Sequence, residues 1–236
     1  MSSILIYHHL GLGDHIMCHG IVREYCKRYD RVTIFAKAHN YSSVAFMYRD
    51  LQNLTVIKGD DAQARVRIFL NNCFGNLKYN KVLTVGFDNL DATSGIQIEQ
   101  QFYAIAEVPL EKKWESFLVK RDLDREHSLI RQIAPIGDFV FLHEDPSRNF
   151  VIKRTYVGKD YYVITPNKQL TDNIFDYCRT IEKAKEIHVI DSSFMFLIDC
   201  LPYKNPEQKR FVHRYSRQNP EWQLPILKKS WTIITE

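Results

Sequence analysis

Long apolar runs and paired cysteines are both missing from this chain of 236 residues. Every apolar stretch is far shorter than the roughly 20 residues that a membrane span needs, and the N-terminus lacks the basic segment and apolar core of a signal peptide. We therefore expect a cytoplasmic protein without a transmembrane segment. The five cysteines form no Cys-x-x-Cys pair, which argues against a zinc ribbon and against a disulfide framework.

A large excess of charge is missing as well. The formal net charge is +4 and the pI is near 8.7, and the basic residues are dispersed in short pairs such as Lys112-Lys113 and Lys228-Lys229. Nucleic-acid-binding proteins concentrate Lys and Arg on one face, so we expect no nucleic-acid partner. A mildly basic chain does favour the approach of a nucleotide diphosphate.

What the chain does have is an alternation of apolar strands and amphipathic helices. Such an alternation is typical of a doubly wound parallel sheet, so the first half is predicted to be Rossmann-like. The elements predicted there are strand 3–8, helix 14–29, strand 31–36, helix 40–49, strand 54–57, helix 60–71, strand 81–85 and helix 96–106.

The second half restarts the same kind of pattern after a polar stretch from Glu111 to Glu126. The domain junction is placed in that stretch, with an N-terminal domain over 1–120 and a C-terminal domain over 121–236. The fold class is therefore predicted to be α/β, with two small Rossmann-like halves and mostly parallel sheets. The elements predicted for the second half are strands 138–142 and 161–165, helix 171–184, strand 187–190, helix 193–200, and strands 210–214 and 230–234.

The first strand runs into a Gly-x-Gly turn at Gly11 and Gly13, and a helix follows. Glycines let the backbone approach a ligand closely, and a helix N-terminus favours an anion, so the loop is a candidate ligand site. As a dinucleotide fingerprint it is incomplete, because Ile16 stands at the third glycine position. The second strand is followed by Lys37 rather than by the acid that binds a ribose, which disfavours a nicotinamide or S-adenosylmethionine enzyme.

The same loop carries a carboxylate, Asp14, in the first turn of the predicted helix. One interpretation is structural, since an acid at this place caps the helix and is stabilised by its dipole. The other is catalytic, since an ionised carboxylate beside a glycine loop can remove the proton of a sugar hydroxyl. The spacing alone leaves both open.

Gly11-Leu12-Gly13-Asp14, followed by an amphipathic helix, resembles the opening of the ADP-heptose-type lipopolysaccharide glycosyltransferases, which belong to the two-domain GT-B class. This resemblance implies a compact GT-B-like fold, with the acceptor on the side of the first domain and the nucleotide-sugar donor on the side of the second. It also implies that Asp14 faces the acceptor hydroxyl as the catalytic base. Gly11, Gly13 and His15 are then expected on the acceptor side.

The segment from Glu186 to Phe194 is predicted to be a buried strand that delivers two hydroxyl groups to the start of a helix. Ser192 or Ser193 either caps that helix or donates to a pyrophosphate, and the sequence does not choose between the two. The segment is similar to the strand, Ser-Ser/Thr-Phe, helix segments that hold nucleotide phosphates in fucosyltransferase-like GT-B enzymes. That similarity implies that Asp191, Ser192, Ser193 and Phe194 bind the donor.

Another apolar strand of the second half ends in a cluster of His143, Glu144, Asp145 and Arg148. Ligands bind at the carboxyl ends of strands in open α/β sheets, so His143, Asp145 and Arg148 are candidate donor-binding residues. A similar strand in fucosyltransferase-like enzymes ends in His and Arg, which implies that Arg148 grips the donor β-phosphate with its planar fork. The alternative is structural: Asp145 or Ser147 begins a turn around Pro146, and Arg148 pairs with Glu144.

Four other polar residues have simple structural explanations beside their functional ones. Asn167 follows a predicted strand and is a candidate for contact with the base or ribose, although a plain turn explains it as well. His15 and His19 are spaced to share a zinc ion, but no third ligand is fixed by the sequence, and we expect no metal. His188 lies on an apolar strand and is predicted to be a hydrogen-bonded core histidine.

These patterns together predict a glycosyltransferase that moves a sugar from a nucleotide-sugar donor to a glycan or glycolipid acceptor. The expected mechanism is inverting displacement without a metal or other cofactor, because protein groups can stabilise the departing diphosphate. One alternative is a catalytically silent protein that binds a nucleotide sugar or acts as a scaffold. Another is an S-adenosylmethionine-dependent methyltransferase on a single Rossmann domain.

Overall fold

The apolar runs of the sequence form the strands of two parallel sheets. The computed structural model describes residues 1–61, 79–91, 93–135, 137–217 and 223–236. The chain divides into two compact units, Met1–Lys120 and Arg121–Glu236, which we call unit 1 and unit 2. All pairs of neighbouring strands in both sheets are parallel, so the α/β fold class with two Rossmann-like halves is confirmed.

In unit 1 the strands lie in the order β3-β2-β1-β4. The strands are β1 (Ser3–Tyr7), β2 (Arg31–Lys37), β3 (Leu54–Gly59) and β4 (Lys81–Thr84). The α-helices among the described residues of this unit are α1 (Leu12–Met17), α2 (His19–Cys26), α3 (Tyr41–Met47), α4 (Ile98–Ile105) and α5 (Lys112–Glu115). The helix predicted over 60–71 lies almost wholly outside the described residues.

β1 lies inside the sheet of unit 1, and all five of its residues are buried. Ile4 is opposite Val32 of β2, and Leu5 is opposite Val82 of β4. A strand with neighbours on both sides and helices on its faces must be apolar on both faces, which explains why the N-terminal segment is an unbroken apolar run.

The single helix predicted over 14–29 is wrong in one respect, because the segment forms two helices. Helix α1 starts at Leu12, and Cys18 separates it from α2 with a ψ of 2°, outside the helical range. The hydrogen bonds from Cys18 N to Asp14 O and from Val22 N to Cys18 O nevertheless hold the two helices in sequence. Hydrophobic periodicity does not register a one-residue interruption of this kind.

In unit 2 the strands lie in the order β6-β5-β7-β8-β9. The strands are β5 (Phe139–His143), β6 (Tyr162–Ile164), β7 (Glu186–Val189), β8 (Lys209–His213) and β9 (Thr232–Ile234). The α-helices are α6 (Leu123–Ile133), α7 (Cys178–Lys183) and α8 (Ser193–Cys200). Every strand predicted for this half is confirmed to within a few residues.

Helix α6 was not expected, because its residues fall within and just beyond the stretch interpreted as a polar junction. Asp122 is its N-cap and accepts a hydrogen bond from Arg125 N at 3.1 Å. Glu126 is buried and accepts from Arg121 Nε at 2.7 Å. An acid before an apolar residue, with further acids in the first turn, is a signal for the start of a helix. The mean polarity of the segment does not show this signal.

The described cysteines are free thiols, and burial raises the pKa of Cys18 and of Cys178 well above the ordinary value. Cys73 lies outside the described residues. Among the helices that the structure describes, none combines the length and the apolar composition needed to cross a bilayer.

A buried ion pair joins two helices of unit 1. Lys113 of α5 is 0% exposed, Glu99 of α4 is 3% exposed, and Nζ of the lysine lies 2.6 Å from Oε1 of the glutamate. Taking two charges out of water is costly, and only the retained pair offsets that cost. The pair therefore makes the packing of α4 against α5 sensitive to the loss of either charge.

We expect Glu99→Gln to destabilise unit 1 by about 3–5 kcal/mol, because it removes the carboxylate charge that offsets a buried ammonium group. The free energy of unfolding, measured by urea titration, checks this. Glu115→Gln is the matched control, since Glu115 pairs with Lys112 in an exposed ion pair within α5. This change should leave the urea midpoint of unfolding nearly unchanged. Equal midpoints for the wild type and Glu99→Gln would contradict the role of the pair.

Candidate functional site

In each unit the order of the parallel strands reverses at one place. In unit 1 the chain passes from β1 outward through β2 to β3, and β4 then pairs with the other side of β1. In unit 2 the chain passes from β5 to β6, and β7, β8 and β9 follow on the other side of β5. In open α/β sheets ligands bind outside the carboxyl ends of the strands at such a switch point. Each unit therefore offers one candidate site.

The glycine loop leaves the carboxyl end of β1, at the switch point of unit 1. Gly11 is the N-cap of α1, with extended backbone angles, and Asp14 is the third residue of the helix. The structural interpretation of Asp14 therefore holds in part, since Asp14 lies in the first turn, but the cap position belongs to Gly11. A Cβ atom on Gly11 would lie 2.5 Å from Asp14 Oδ2, so a larger residue at this position would displace the carboxylate from its present place. Gly13 is the second residue of α1 and is partly exposed.

His15 lies inside unit 1 rather than on the surface of the loop. It is 0% exposed, its ring packs edge-on against His8 with centroids 4.6 Å apart, and neither of its ring nitrogens has a hydrogen-bond partner among the described residues. Burial lowers the pKa of His15 well below 6.5 and that of His8 to about 4. His15 is thus placed to support the loop from within, and its side chain does not reach the surface where an acceptor would bind.

His15 and His19 also differ in their surroundings. His19 Nε2 lies 2.5 Å from Arg23 Nε, which donates to it, and the ring packs against Tyr48 and Phe117. A nitrogen that accepts a hydrogen bond from a guanidinium group has no free lone pair for a metal. In the described ranges, no group of three or more His, Cys, Asp or Glu is placed to hold a metal ion.

In unit 1 a hydrogen bond that the sequence did not predict joins the loop after β1 to the loop after β4. His9 Nε2 accepts from Phe87 N at 3.1 Å, and the ring lies 4.4 Å from that of Phe87. Phe87 has a left-handed backbone with φ of 58°, and Gly86 before it has φ of 91°. A Cβ atom at Gly86 would meet the His9 ring at 2.8 Å. The glycine after β4 was therefore the available signal for this close approach.

In unit 2 a serine and a histidine meet across the switch point. Ser192 Oγ lies 2.9 Å from His143 Nδ1, which joins the end of β7 to the end of β5. Ser192 occupies the N-cap position of α8, but its hydroxyl makes no hydrogen bond to the helix in the described part of the chain. Of the two interpretations of this segment, the capping one therefore holds for the position of Ser192 but not for a hydrogen bond from the helix to its hydroxyl. Ser193 is the first residue of α8 and is partly exposed.

Burial lowers the pKa of His143 to about 4, against the raising effect of nearby Asp145 and Glu144. The imidazole is consequently neutral at pH 7. Phe194 is 3% exposed and packs against His143 at 4.6 Å between ring centroids and against Phe141 at 5.2 Å. Phe194 was expected among the donor-binding residues, but the structure gives its ring a supporting place in the core.

The acids after β5 have basic partners of their own. Asp145 accepts from Arg148 Nε at 2.6 Å, whereas Glu144 accepts from both terminal nitrogens of Arg154. The predicted pairing of Arg148 with Glu144 is therefore wrong. Hydrogen bonds from Ser147 and Arg148 lower the pKa of Asp145, although burial opposes them. Of the two residues that the structural interpretation allowed at the start of a turn around Pro146, the structure has Asp145.

Asp191 is 6% exposed, at the end of β7. Two arginines that the sequence did not single out approach it from the loop after β8. Arg214 Nη2 lies 3.9 Å from its Oδ2, and Arg217 Nη1 donates to its carbonyl oxygen. The sequence offered no signal for these contacts, because they depend on β8 lying beside β7.

Two other predicted residues have structural places. Asn167 is exposed beyond the edge strand β6, and its Oδ1 accepts from Gln169 N at 2.9 Å, which is a plain turn. His188 is 0% exposed, lies 2.9 Å from His213 between ring nitrogens, and stacks on Phe211. The prediction of a core histidine is confirmed.

No protein-family model and no curated protein matches this sequence. Solved structures do match its fold. The E. coli ADP-heptose LPS heptosyltransferase II has a TM-score of 0.58 at 11% identity, over 99% of this chain and 90% of that chain. A glycosyl transferase of family 9 from Veillonella parvula has a TM-score of 0.57 at 10% identity, over 94% of this chain and 82% of that chain. The E. coli heptosyltransferase WaaC, solved with ADP-2-deoxy-2-fluoro heptose, has a TM-score of 0.50 at 11% identity, over 98% and 92%.

At these identities the similarity establishes the fold. The chain has the two-sheet α/β architecture of these glycosyltransferases, as the resemblance in the first glycine loop predicted. A methyltransferase on a single Rossmann domain does not fit a chain with two separate parallel sheets, and β2 ends in Lys37. The likeness to fucosyltransferase-like enzymes stays a prediction.

The buried histidines make stability depend on pH. In the unfolded chain His8 and His143 titrate near 6.5, but in the folded chain their pKa is about 4. Between these values the unfolded chain binds more protons, so acid favours unfolding. We expect the free energy of unfolding to fall as pH decreases from 6.5 towards 4, by up to about 1.4 kcal/mol per pH unit for each histidine. Urea titration of His143→Gln should show a shallower dependence, and an unchanged slope would contradict the neutral state of His143.

Proposed function

We propose that this protein is a glycosyltransferase that moves a sugar from a nucleotide-sugar donor to a glycan or glycolipid acceptor. The observation that carries the proposal is the match in fold to glycosyltransferases, which extends over 99% of this chain and 90% of the E. coli heptosyltransferase II chain. Chemically capable side chains at both switch points support it. Fold alone does not define function, and these side chains supply chemistry that the fold does not specify.

Unit 1 is proposed to bind the acceptor, with Asp14 as the catalytic base. The carboxylate lies in the first turn of α1, where the helix dipole favours its ionised form. The carboxylate lies against Gly11, so close that a Cβ atom there would be 2.5 Å from Asp14 Oδ2. A carboxylate within hydrogen-bond distance of a hydroxyl can take its proton as the oxygen attacks the sugar.

Unit 2 is proposed to bind the nucleotide-sugar donor. The free N–H groups at the start of α8 attract a diphosphate, and Ser192 and Ser193 lie at that start. We assign to His143 the tautomer in which Nδ1 accepts from the Ser192 hydroxyl, which lies 2.9 Å away, so that Nε2 carries the proton and can donate it to a phosphate oxygen. Arg148 adds a positive charge from the loop after β5. We propose that these groups stabilise the departing diphosphate, so that inverting displacement proceeds without a metal.

Asp14→Asn tests the assignment of the base. We expect turnover to be lost, because an amide cannot take the hydroxyl proton, while donor binding in unit 2 stays nearly unchanged. The measurements are calorimetric binding of the nucleotide sugar and release of nucleoside diphosphate in the presence of a panel of glycans and glycolipids. Asp30→Asn is the matched control, because Asp30 lies before the amino end of β2 and accepts from Ser2 N. Full turnover in Asp14→Asn would contradict the assignment.

A screen of nucleoside diphosphates tests the donor side. A ligand present at 100 times its dissociation constant stabilises the folded chain by roughly 2.7 kcal/mol, so one base series should raise the melting temperature. We expect Ser193→Ala to reduce this rise, and Ser128→Ala on α6 to leave it unchanged. If Ser193→Ala keeps the full rise, the hydroxyl at the start of α8 does not contact the donor.

A further inference from the structure

The loop after β8 brings a second source of positive charge to the switch point of unit 2. β8 pairs with β7, and Val212 lies opposite Val189, so the residues that follow β8 lie beside those that follow β7. Arg217 Nη1 donates to the carbonyl oxygen of Asp191, the residue before Ser192. Its guanidinium group is thereby fixed next to the start of α8.

The same guanidinium group shares an aromatic ring with Arg148. Cζ of Arg217 lies 5.8 Å from the ring centroid of Phe150, and Cζ of Arg148 lies 5.0 Å from it. Phe150 is held in turn by two backbone hydrogen bonds to Asp145, at 2.8 Å and 2.9 Å between N and O. Two arginines, one from the loop after β5 and one from the loop after β8, therefore lie against the ring of Phe150.

Two like charges near one ring repel each other, and a bound anion would relieve that repulsion. Asp145 offsets the charge of Arg148 in part, yet the Arg148 side chain is 60% exposed and therefore accessible to a ligand from solvent. Each guanidinium has a planar fork of donors that matches the oxygens of a phosphate group. The arrangement therefore favours a ligand with two adjacent anionic groups over a singly charged one.

We propose that Arg148 and Arg217 form a clamp for the two phosphates of a diphosphate ligand, with Phe150 as their shared support. The clamp rests on the proposed function in that the diphosphate is taken to belong to the nucleotide-sugar donor. Arg214 acts differently: its Nη2 lies 3.9 Å from Asp191 Oδ2, and it positions that residue rather than the ligand.

Binding of inorganic pyrophosphate to the full chain, measured by calorimetry, tests the clamp without requiring transfer of a sugar. We expect Arg148→Ala and Arg217→Ala each to weaken binding by about 10- to 100-fold, which is the effect of losing a charged hydrogen-bond partner. The double variant should lose less than the product of the two, because both arginines hold the same group. Arg154→Ala is the matched control and should keep wild-type affinity, because Glu144 accepts from both terminal nitrogens of Arg154, whereas Asp145 accepts from Nε of Arg148.

Two further variants separate binding from a structural effect of Arg217. Arg217→Lys keeps the charge but loses the planar fork, so we expect an affinity between those of the wild type and Arg217→Ala. Phe150→Leu keeps an apolar side chain but removes the ring, and it should weaken pyrophosphate binding as well. The melting temperature of each variant without ligand shows whether the fold is retained.

The outcomes distinguish the clamp from the proposed function. If Arg217→Ala and Arg217→Lys bind pyrophosphate as the wild type does, the clamp is wrong. If the wild type binds neither pyrophosphate nor a nucleoside diphosphate, the clamp and the donor site are both wrong. If the arginine variants lose pyrophosphate binding and the wild type transfers no sugar from any nucleotide sugar, the clamp is correct and the proposed glycosyl transfer is not.

Discussion

The reversal of strand order in each parallel sheet is the constraint on which the functional part of this structure depends. At the switch point two neighbouring strands send their loops in opposite directions, so the carboxyl ends of β1 and β4, and of β5 and β7, are left with a space between the departing chains. Asp14 lies at the first of these places, and Ser192 with His143 lies at the second. The strand order therefore determines where the two proposed sites lie, and the side chains at those places determine the chemistry.

Burial of the strands sets the state of the polar groups that surround these places. β1 and β5 are apolar because they are covered on both faces, and the histidines that end or follow them lose the water that would stabilise their charge. Burial accordingly lowers the pKa of His8 and His143 to about 4. Neutral rings can accept a hydrogen bond, as His9 does from Phe87 N, and the neutral ring of His143 shares a hydrogen bond with Ser192. Charge at these edges is carried by carboxylates and arginines instead.

Most strands and helices were predictable because each leaves a periodic signal in its own residues. The side-chain contacts were harder to predict from the sequence. Arg148 pairs with Asp145 rather than with Glu144. Arg217 contacts Asp191 only because β8 lies beside β7. Strand order is not a local property, so the sequence near Arg217 does not predict which residues Arg217 contacts. Asp14 was placed in the correct turn but at the wrong position of the helix, since helix ends are the least certain part of a periodic pattern.

Amide hydrogen exchange of the full chain, with and without a saturating nucleoside diphosphate, tests most directly whether the switch point of unit 2 is the donor site. The account predicts slower exchange in peptides that cover residues 143–150 and 190–196, where the ligand would contact backbone N–H groups at the start of α8. Peptides that cover residues 8–17 of unit 1 should exchange at their original rates. Protection confined to residues 8–17, or no protection in either unit, would contradict the account.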